Sequence, residues 1–104
     1  MTKYEYVAGW TGNIDVDLLD NGAVPDGNLA GATVELVLES ADGVALPLTD
    51  NTSILDATNW RIRVQPDAAD FVVGTYRGRF KVTDIDSKVF YFPNSIWDSW
   101  IIRS

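Results

Sequence analysis

The sequence predicts an all-β domain in which antiparallel strands pack as a sandwich. Short runs of alternating apolar and polar residues recur along the chain, with the period of two that a strand with one buried face requires. Glycine, proline, asparagine and aspartate separate these runs at short intervals. No segment has the apolar spacing of an amphipathic helix of useful length.

The first half of the chain contains four predicted strands, at residues 3–8, 13–18, 33–39 and 44–48. The segment 20–31 is rich in turn-forming residues and predicts a loop. Asp42-Gly43 predicts a hairpin turn, and Pro47 indicates that the return strand lies at a sheet edge. The inward-facing residues predicted from the alternation are Ile14, Val16, Leu18, Val34, Leu36 and Leu38.

The second half begins with residues 50–59, where the pattern predicts a loop or a single helical turn. Strands follow at 60–65, 75–83, 88–92 and 96–102, and an acidic turn joins the second of these to the third. Arg77, Arg79 and Lys81 alternate with apolar residues and are predicted to face outward. The predicted inward residues are Trp60, Ile62, Val64, Tyr76, Phe80 and Val82, with either Phe90 or Tyr91 and one of Trp97 and Trp100.

The number and order of these strands favour an immunoglobulin-like antiparallel β-sandwich of seven or eight strands over a barrel. Tyr76 follows Gly74-Thr75 at the place where such sandwiches carry a tyrosine corner, whose hydroxyl group bonds back across the preceding connection. The alternative is an ordinary core tyrosine. No repeat, low-complexity run or linker divides the chain, so residues 1–104 are expected to form one domain.

The composition excludes several classes of catalytic site. With no cysteine and no histidine, the chain lacks the commonest zinc ligands, a thiol nucleophile and any Ser-His-Asp relay. We therefore expect no enzyme, and no catalytic, metal-binding or cofactor-binding residues. The net charge of −7 disfavours nucleic acid, and no segment approaches the about 20 apolar residues of a membrane span. The first residues do not resemble a signal peptide.

Two pairs of aspartates suggest chemistry, and each pair has a simpler interpretation. Asp15 and Asp17 share one strand face, as paired catalytic carboxylates would, but acidic alternation on an exposed strand commonly serves solvation alone. Asp84 and Asp86 could hold a cation at a hairpin tip, or their short side chains could bond their own backbone in an Asx-type turn. The simpler interpretation is favoured for both pairs.

Charge is distributed unevenly along the chain. Before Arg61 there are one basic and ten acidic residues, and from Arg61 onward there are seven basic and five acidic residues. Neighbouring strands of opposite charge would neutralise each other within one molecule, which is the favoured interpretation. Alternatively, the basic strand face of Arg77, Arg79 and Lys81 would meet the acidic part of a second copy or of another protein.

Two tryptophans near the C-terminus supply the remaining candidates. Trp97 and Trp100 have an odd separation, so a regular strand would point them to opposite faces, and one of them would be exposed or in an interface. The candidate interface residues are therefore Arg77, Arg79, Lys81, Trp97 and Trp100. An exposed Trp10, Trp97 or Trp100 could instead stack on sugar rings, so a carbohydrate-binding module is the alternative.

A series of strand-and-turn signatures spans nearly the whole chain. Its members are Asn13 to Leu18, LAGATVEL at 29–36, Asp42-Gly43, Gly74 to Thr83, Lys88 to Pro93 and Ile101-Ile102. In this order they resemble the small immunoglobulin-like domains of bacteriophage and prophage tails, in particular the N-terminal domain of baseplate upper proteins. The resemblance carries over no catalytic residue.

That resemblance implies a non-enzymatic structural protein of a virion, associated with the tail or baseplate and assembled in the bacterial cytoplasm. The partners that it implies are other tail proteins or further copies of the same chain, in contact with neither nucleic acid nor membrane. A glycan would be a ligand only under the carbohydrate-binding alternative.

Overall fold

The computed structural model describes residues 3–19, 22–25, 27–40, 42–43, 45–47, 51–93 and 97–104, with the backbone alone for 45–47. These residues contain no helix, which confirms the predicted all-β class, and they contain nine strands instead of the predicted seven or eight. The strands are β1 (Lys3–Val7), β2 (Ile14–Asp17), β3 (Thr33–Ser40), β4 (Ala45–Pro47), β5 (Thr52–Asp56), β6 (Arg61–Val64), β7 (Gly74–Thr83), β8 (Val89–Phe92) and β9 (Asp98–Arg103).

The strands form two sheets. Sheet A has the order β1-β9-β7-β3-β4, and β8 also pairs with β7. Sheet B has the order β2-β6-β5. The described pairs are antiparallel except for β1 with β9, so sheet A is mixed and sheet B is antiparallel. The edge position predicted from Pro47 is confirmed, because β4 ends the order of sheet A.

The ten-residue strand β7 organises sheet A. Along one side it pairs with β3, and along the other it pairs first with β9, from Gly74 to Gly78, and then with β8, from Phe80 to Thr83. Its alternation buries Phe80 and Val82. Arg79 and Lys81, which alternate with them, face outward, as predicted.

Both sheets contribute to one cluster of buried apolar side chains. Sheet A supplies Val34, Leu36, Leu38, Phe80, Val82, Trp100 and Ile102, and sheet B supplies Ile14, Ile62 and Val64. Trp60 and Leu18, which flank strands of sheet B, are also buried. Val16 and Tyr76, which were predicted as core residues, are partly buried and pack against this cluster. Full burial of such a side chain contributes about 1.5–3 kcal/mol to stability.

The predicted core omitted two buried residues, and one of its predictions was wrong. Leu29 and Phe71 are buried although they lie in connections that the period-two pattern does not cover. Neither Phe90 nor Tyr91 joins the buried cluster, and Phe92 packs against it instead, with its ring 5.6 Å from that of Trp60. The register of β8 pairs Phe92 with Phe80, whereas Phe90 pairs with Val82, closer to the turn that joins β7 to β8.

The loop or helical turn predicted for residues 50–59 was also wrong, since residues 52–56 form β5. Ile54 is paired with Ile62 and packs against the core. A register shift between Ile54 and Asp56 interrupts the pairing with β6. The strand is hard to recognise from the sequence because Ile54 and Leu55 are adjacent apolar residues, although Ile54 packs against the core and Leu55 is exposed.

Tyr76 bonds back across the connection that precedes β7, as a tyrosine corner does. Its hydroxyl group donates a hydrogen bond to the Val72 carbonyl oxygen at 2.9 Å. Of the two interpretations of Tyr76, the hydrogen-bonded one therefore holds.

Candidate protein interface

Four side chains on the outer face of sheet A form a chain of cation–π contacts, called the arginine–aromatic cluster below: Arg77, Arg79, Tyr91 and Trp97. The guanidinium carbon of Arg79 lies 4.0 Å from the ring centroid of Trp97 and 3.9 Å from that of Tyr91. The guanidinium carbon of Arg77 lies 4.5 Å from the Trp97 centroid. Arg77 and Arg79 belong to β7, Tyr91 belongs to β8, and Trp97 immediately precedes β9. The cation–π contacts therefore link these three parts of sheet A.

Basic and acidic side chains neutralise each other within the molecule, which confirms the favoured interpretation of the uneven charge. In sheet B the ion pairs are Arg63 with Asp15 and Arg61 with Asp17, each at 2.8 Å. In sheet A they are Arg77 with Glu39, and Arg103 with Glu5 at 3.1 Å. In each of these pairs an acidic residue of the first half meets a basic residue of the second, as cross-strand pairing requires.

Arg79 departs from this scheme. It lies opposite Val37 on β3 and forms no ion pair with a described carboxylate. Its Nε atom is buried and finds no hydrogen-bond acceptor in the described part of the chain. Lys81, the third predicted interface residue of this strand, lies opposite Glu35 and Tyr91.

Trp100 does not belong to the interface set, and that part of the prediction was wrong. Its side chain has no exposed surface, because it faces inward and its ring stacks on Tyr4 with centroids 4.2 Å apart. Trp97 lies on the outer face within the arginine–aromatic cluster and keeps part of its surface exposed. The two tryptophans therefore face opposite sides of sheet A, as their odd separation predicts.

An open cleft of about 690 Å³ adjoins the arginine–aromatic cluster on the outer side of sheet A. Arg77 and Trp97 line the cleft and also belong to the cluster. The acidic residues Glu39, Asp42 and Asp98 also belong to the lining, together with neighbouring serine and threonine residues. The cleft can therefore accommodate a polar chain segment that reaches the cluster.

The turn between β7 and β8 is held by the side chain of Asp84. One carboxylate oxygen, Oδ1, accepts the backbone N–H groups of Asp86 at 2.9 Å and Lys88 at 2.8 Å. This is the Asx-type turn that the sequence favours over a cation site. The backbone bonds from the N–H of Asp84 to the carbonyl of Lys88, and from the N–H of Ser87 to the carbonyl of Asp84, complete the turn.

This turn and the start of β8 expose three large apolar side chains, called the apolar hairpin end below: Ile85, Val89 and Phe90. Ile85 is 76% exposed, and the other two are exposed by more than 40%. The Ile85 side chain lies beside Gly31, where an added Cβ would come within 3.2 Å of its Cδ1 atom. Val89 and Phe90 are neighbours on β8 and point to opposite faces of the sheet, so Ile85 is the most exposed apolar side chain at this end.

The catalytic interpretation of Asp15 meets an electrostatic obstacle. A hydrogen bond from Arg63 lowers the pKa of Asp15, whereas a general acid needs a raised pKa. Asp17 is paired with Arg61 in the same way. Within the described ranges, no group of three or more acidic side chains is close enough to hold a metal ion, and no helix is long and apolar enough to cross a membrane.

Trp10 is the tryptophan that retains the largest exposed surface for stacking, since 40% of it is accessible. Its indole N–H donates to the Gly12 carbonyl oxygen at 3.1 Å, and its ring lies 5.5 Å from that of Tyr6. By contrast, guanidinium groups lie over the Trp97 ring, and Trp100 is buried. A sugar ring would therefore find its stacking platform at Trp10.

The sequence reasoning missed Tyr91 and the apolar hairpin end as surface features. The signal that could have found Tyr91 is the hairpin register, because pairing Lys81 with Tyr91 gives both residues the same outer face. The exposure of Ile85 follows from its place inside a turn, where an isoleucine has no core to face.

Comparisons of the chain with known protein families, with curated proteins and with solved structures found no match.

Proposed function

We propose that this chain is a non-enzymatic structural protein of a bacteriophage or prophage virion, associated with the tail or baseplate, and that it acts through protein–protein contacts. It would be assembled in the bacterial cytoplasm, with other tail proteins or further copies of itself as partners. The resemblance in landmark order supports the virion role, since the matching segments coincide with β2, β3, β7, β8 and β9.

The finer fold that we propose is an immunoglobulin-like sandwich. The order β9-β7-β3-β4 corresponds to strands G-F-C-C′ of such a fold, and β2-β6-β5 corresponds to strands B-E-D. On that correspondence β7 is strand F, which carries a tyrosine corner near its start. The hydrogen bond from Tyr76 to Val72 supports this assignment.

The apolar hairpin end is the observation that carries the protein-contact proposal. Ile85 projects from a turn that the Asp84 carboxylate holds with two hydrogen bonds. Because the turn is already ordered, little conformational entropy is left to lose when a partner binds. The charged residues Asp86 and Lys88 flank the apolar side chains, as a polar rim surrounds the apolar centre of an interface.

Incorporation into particles tests this proposal. When the phage that encodes the chain is grown and purified, we expect the chain to co-sediment with particles at a fixed copy number, measured by quantitative mass spectrometry. Ile85→Asp should reduce that copy number by at least about tenfold, as loss of an interface hot spot does. The same variant should unfold within about 0.5 kcal/mol of the wild type, because Ile85 is a surface residue.

A matched control lies at the opposite end of β7. Val72 is 57% exposed and precedes this strand, whereas Ile85 follows it. Val72→Asp makes the same chemical change and should leave incorporation at the wild-type level. Absence of the wild-type chain from purified particles would contradict the virion role, and equal losses from both variants would contradict the assignment of the contact to the hairpin end.

The carbohydrate-binding alternative depends on Trp10, the tryptophan with the largest exposed surface in the described residues. Specific glycan-array binding that Trp10→Ala abolishes would favour this alternative over the protein-contact proposal.

A further inference from the structure

Arg79 is the arginine that the described residues leave without an acidic partner. All five arginines of the chain lie in the described ranges. The other four form ion pairs, with Asp17, Asp15, Glu39 and Glu5. The position of Arg79 in a protein of net charge −7 is therefore unusual, since carboxylates outnumber basic groups almost two to one.

The register of sheet A explains why no acidic residue of the described ranges pairs with Arg79. On β3 it lies opposite Val37, whereas the two neighbouring basic residues of β7 lie opposite Glu39 and Glu35. On its other side, the pairing with β9 ends at Gly78 and the pairing with β8 begins at Phe80. Arg79 falls at this junction, and Trp97 and Tyr91 cover its guanidinium group there.

We propose that Arg79 receives a carboxylate group of a protein partner on the outer face of sheet A, an inference that rests on the proposed protein-contact function. Stacking on Trp97 and Tyr91 leaves the in-plane N–H groups as the hydrogen-bonding part of the guanidinium group. These donors form a planar fork that matches the two oxygens of a carboxylate. The stacking also restricts the side chain before binding, so less rotamer entropy is lost on complex formation.

Charge complementarity favours an acidic group over a basic or neutral one. The ion pair with Glu39 neutralises Arg77 on one side of Arg79, and Lys81 on the other side lies opposite Glu35, whereas the residue opposite Arg79 is uncharged. The net charge of −7 opposes a polyanion such as nucleic acid, since repulsion acts along its whole length. A single carboxylate experiences mainly the groups within a Debye length, about 8–10 Å at moderate salt, so the guanidinium group of Arg79 that it contacts contributes most to its binding.

The neighbouring cleft provides room for the rest of the partner segment. Its volume is about 690 Å³, and Trp97 and Arg77 belong both to its lining and to the arginine–aromatic cluster. Hydroxyl groups of Thr75 and Ser99 line the same cleft and could bond to the backbone of an extended segment. The occupant we infer is therefore a protein segment that carries an acidic residue.

An NMR titration of the full chain tests the proposal with defined probes. The probe is the pentapeptide acetyl-Gly-Gly-Glu-Gly-Gly-amide, and the matched control peptide has Gln in place of Glu. With the Glu peptide we expect saturable shifts of the Arg79 Nε–H and Trp97 indole N–H signals, with a dissociation constant on the order of millimolar. The Gln peptide should leave both signals unchanged at the same ionic strength.

Two variants separate the guanidinium fork from its charge. Arg79→Lys keeps the positive charge but removes the planar fork, and we expect it to weaken Glu-peptide binding at least about tenfold. Lys81→Ala removes a nearby charge and should weaken binding by about twofold or less at moderate salt. Equal shifts with the Glu and Gln peptides, or full binding by Arg79→Lys, would overturn the proposal.

A third peptide, with Gln and a free C-terminal carboxylate, distinguishes the two sources of the group. Binding of the Glu peptide alone identifies a side-chain carboxylate, and binding of the third peptide as well extends the site to a chain terminus. Both outcomes support a carboxylate site. Inorganic sulfate that binds as tightly as the Glu peptide would overturn it in favour of a general anion site.

The titration and the particle experiment fail independently. If Ile85→Asp abolishes incorporation but the peptides do not bind, the protein-contact function stands and the Arg79 inference falls. If the Glu peptide binds but the chain is absent from particles, the Arg79 site stands and its partner is a protein outside the virion.

Discussion

Trp60 connects the core to the loop that precedes β3. It is 7% exposed, and its indole N–H donates to the Gly27 carbonyl oxygen at 3.3 Å. Its own carbonyl oxygen accepts the backbone N–H of Leu18 at 2.9 Å, which ties β2 to β6 beyond their paired residues. The side chain of Trp60 therefore contacts the loop and the ring of Phe92, and its backbone ties β2 to β6.

Trp60→Ala should lower the free energy of unfolding by about 3–5 kcal/mol, because it removes a buried ring and leaves a cavity. Chemical denaturation monitored by circular dichroism measures this loss. Trp10→Ala is the matched control, since Trp10 is 40% exposed and should cost much less. Equal stability of the wild type and Trp60→Ala would contradict the core position of Trp60.

Gly78 allows Trp100 to lie against the backbone of β7. A Cβ atom at this position would come within 2.5 Å of Nε1 of Trp100 and 2.9 Å of Cδ2 of Leu38. Such distances are too short for real contacts, so both side chains would have to move. The absence of a side chain at Gly78 is therefore a condition for burying this indole ring.

Gly78→Ala should destabilise the protein by about 1–3 kcal/mol through overpacking. The double variant Gly78→Ala with Trp100→Phe should cost less than the sum of the two single variants, because the smaller ring makes room for the added methyl group. Urea unfolding of the four proteins in this cycle measures the coupling. Strictly additive effects would show that the methyl group does not meet Trp100.

Strands β7 and β8 form the hairpin that carries the exposed apolar side chains. Its turn depends on one carboxylate, since Oδ1 of Asp84 accepts two backbone N–H groups. Short polar side chains stabilise turns in this way because they replace backbone acceptors that the turn geometry removes. The order of the apolar hairpin end therefore depends on the hydrogen bonds of the Asp84 carboxylate.

Asp84→Ala should loosen the turn with a small global effect, about 0.5–1.5 kcal/mol for each hydrogen bond lost. We expect faster amide hydrogen exchange at Asp86 and Lys88, measured by NMR, with unchanged exchange in the middle of β3. Asp86→Ala is the control, because the Asp86 carboxylate makes no hydrogen bond or ion pair with the described residues. Unchanged amide exchange at Asp86 and Lys88 in Asp84→Ala would show that the Asp84 carboxylate does not hold the turn.

Ion pairs between neighbouring strands explain why the uneven distribution of charge along the chain does not produce a strongly basic sheet face. β2 carries Asp15 and Asp17, and the adjacent β6 carries Arg63 and Arg61. Exposed pairs of this kind contribute only about 0.2–1 kcal/mol each. Their main consequence is that most basic side chains are already occupied, which makes Arg79 distinctive.

For the whole molecule, charge determines how stability depends on pH. Ion pairs and hydrogen bonds lower the pKa values of Glu5, Asp15 and Asp56 in the folded state. Burial, with smaller contributions from Asp98 and Tyr6, raises the pKa of Tyr4 to about 12. A carboxyl group with a lowered folded-state pKa stabilises the protein at pH values above the pKa it has in the unfolded chain. A tyrosine with a raised folded-state pKa stabilises the protein at pH values below the pKa it has in the unfolded chain.

The melting temperature should therefore be highest between these limits. It should fall below about pH 4, where the unfolded carboxylates take up protons first, and again above about pH 10, where unfolded tyrosine ionises first. Calorimetry between pH 2 and pH 11.5 measures both changes. Tyr4→Phe should reduce the alkaline decline and leave the acidic one intact, and an alkaline decline that is unchanged in this variant would contradict the assignment to Tyr4.

The first and last strands meet in sheet A, which is a second property of the whole molecule. β1 runs parallel to β9, and Arg103 donates to Glu5 at 3.2 Å across 98 positions of sequence. Tyr4 and Tyr6 of β1 cover one side of Trp100. No local pattern indicates this parallel pairing, because it depends on how the intervening strands are arranged in space.

The sequence by itself determined the features that depend on neighbouring positions. The period of two identified most strands and assigned Phe80 and Val82 to the core side of β7, since adjacent side chains of a strand point to opposite faces. Proline at position 47 indicated an edge because it lacks a backbone donor. The odd separation of Trp97 and Trp100 showed that one of them would face outward.

Only the tertiary structure decided which tryptophan faced outward and which arginine has no acidic partner among the described residues. Trp100 is inside because β9 pairs with β7 in a register that sets its ring beside Gly78. Among the described residues Arg79 has no acidic partner, because it lies opposite Val37 on β3 and falls where the pairing of β7 changes from β9 to β8. Such features depend on which strands pair and in which register, whereas alternation within a single strand fixes only which side chains face the core.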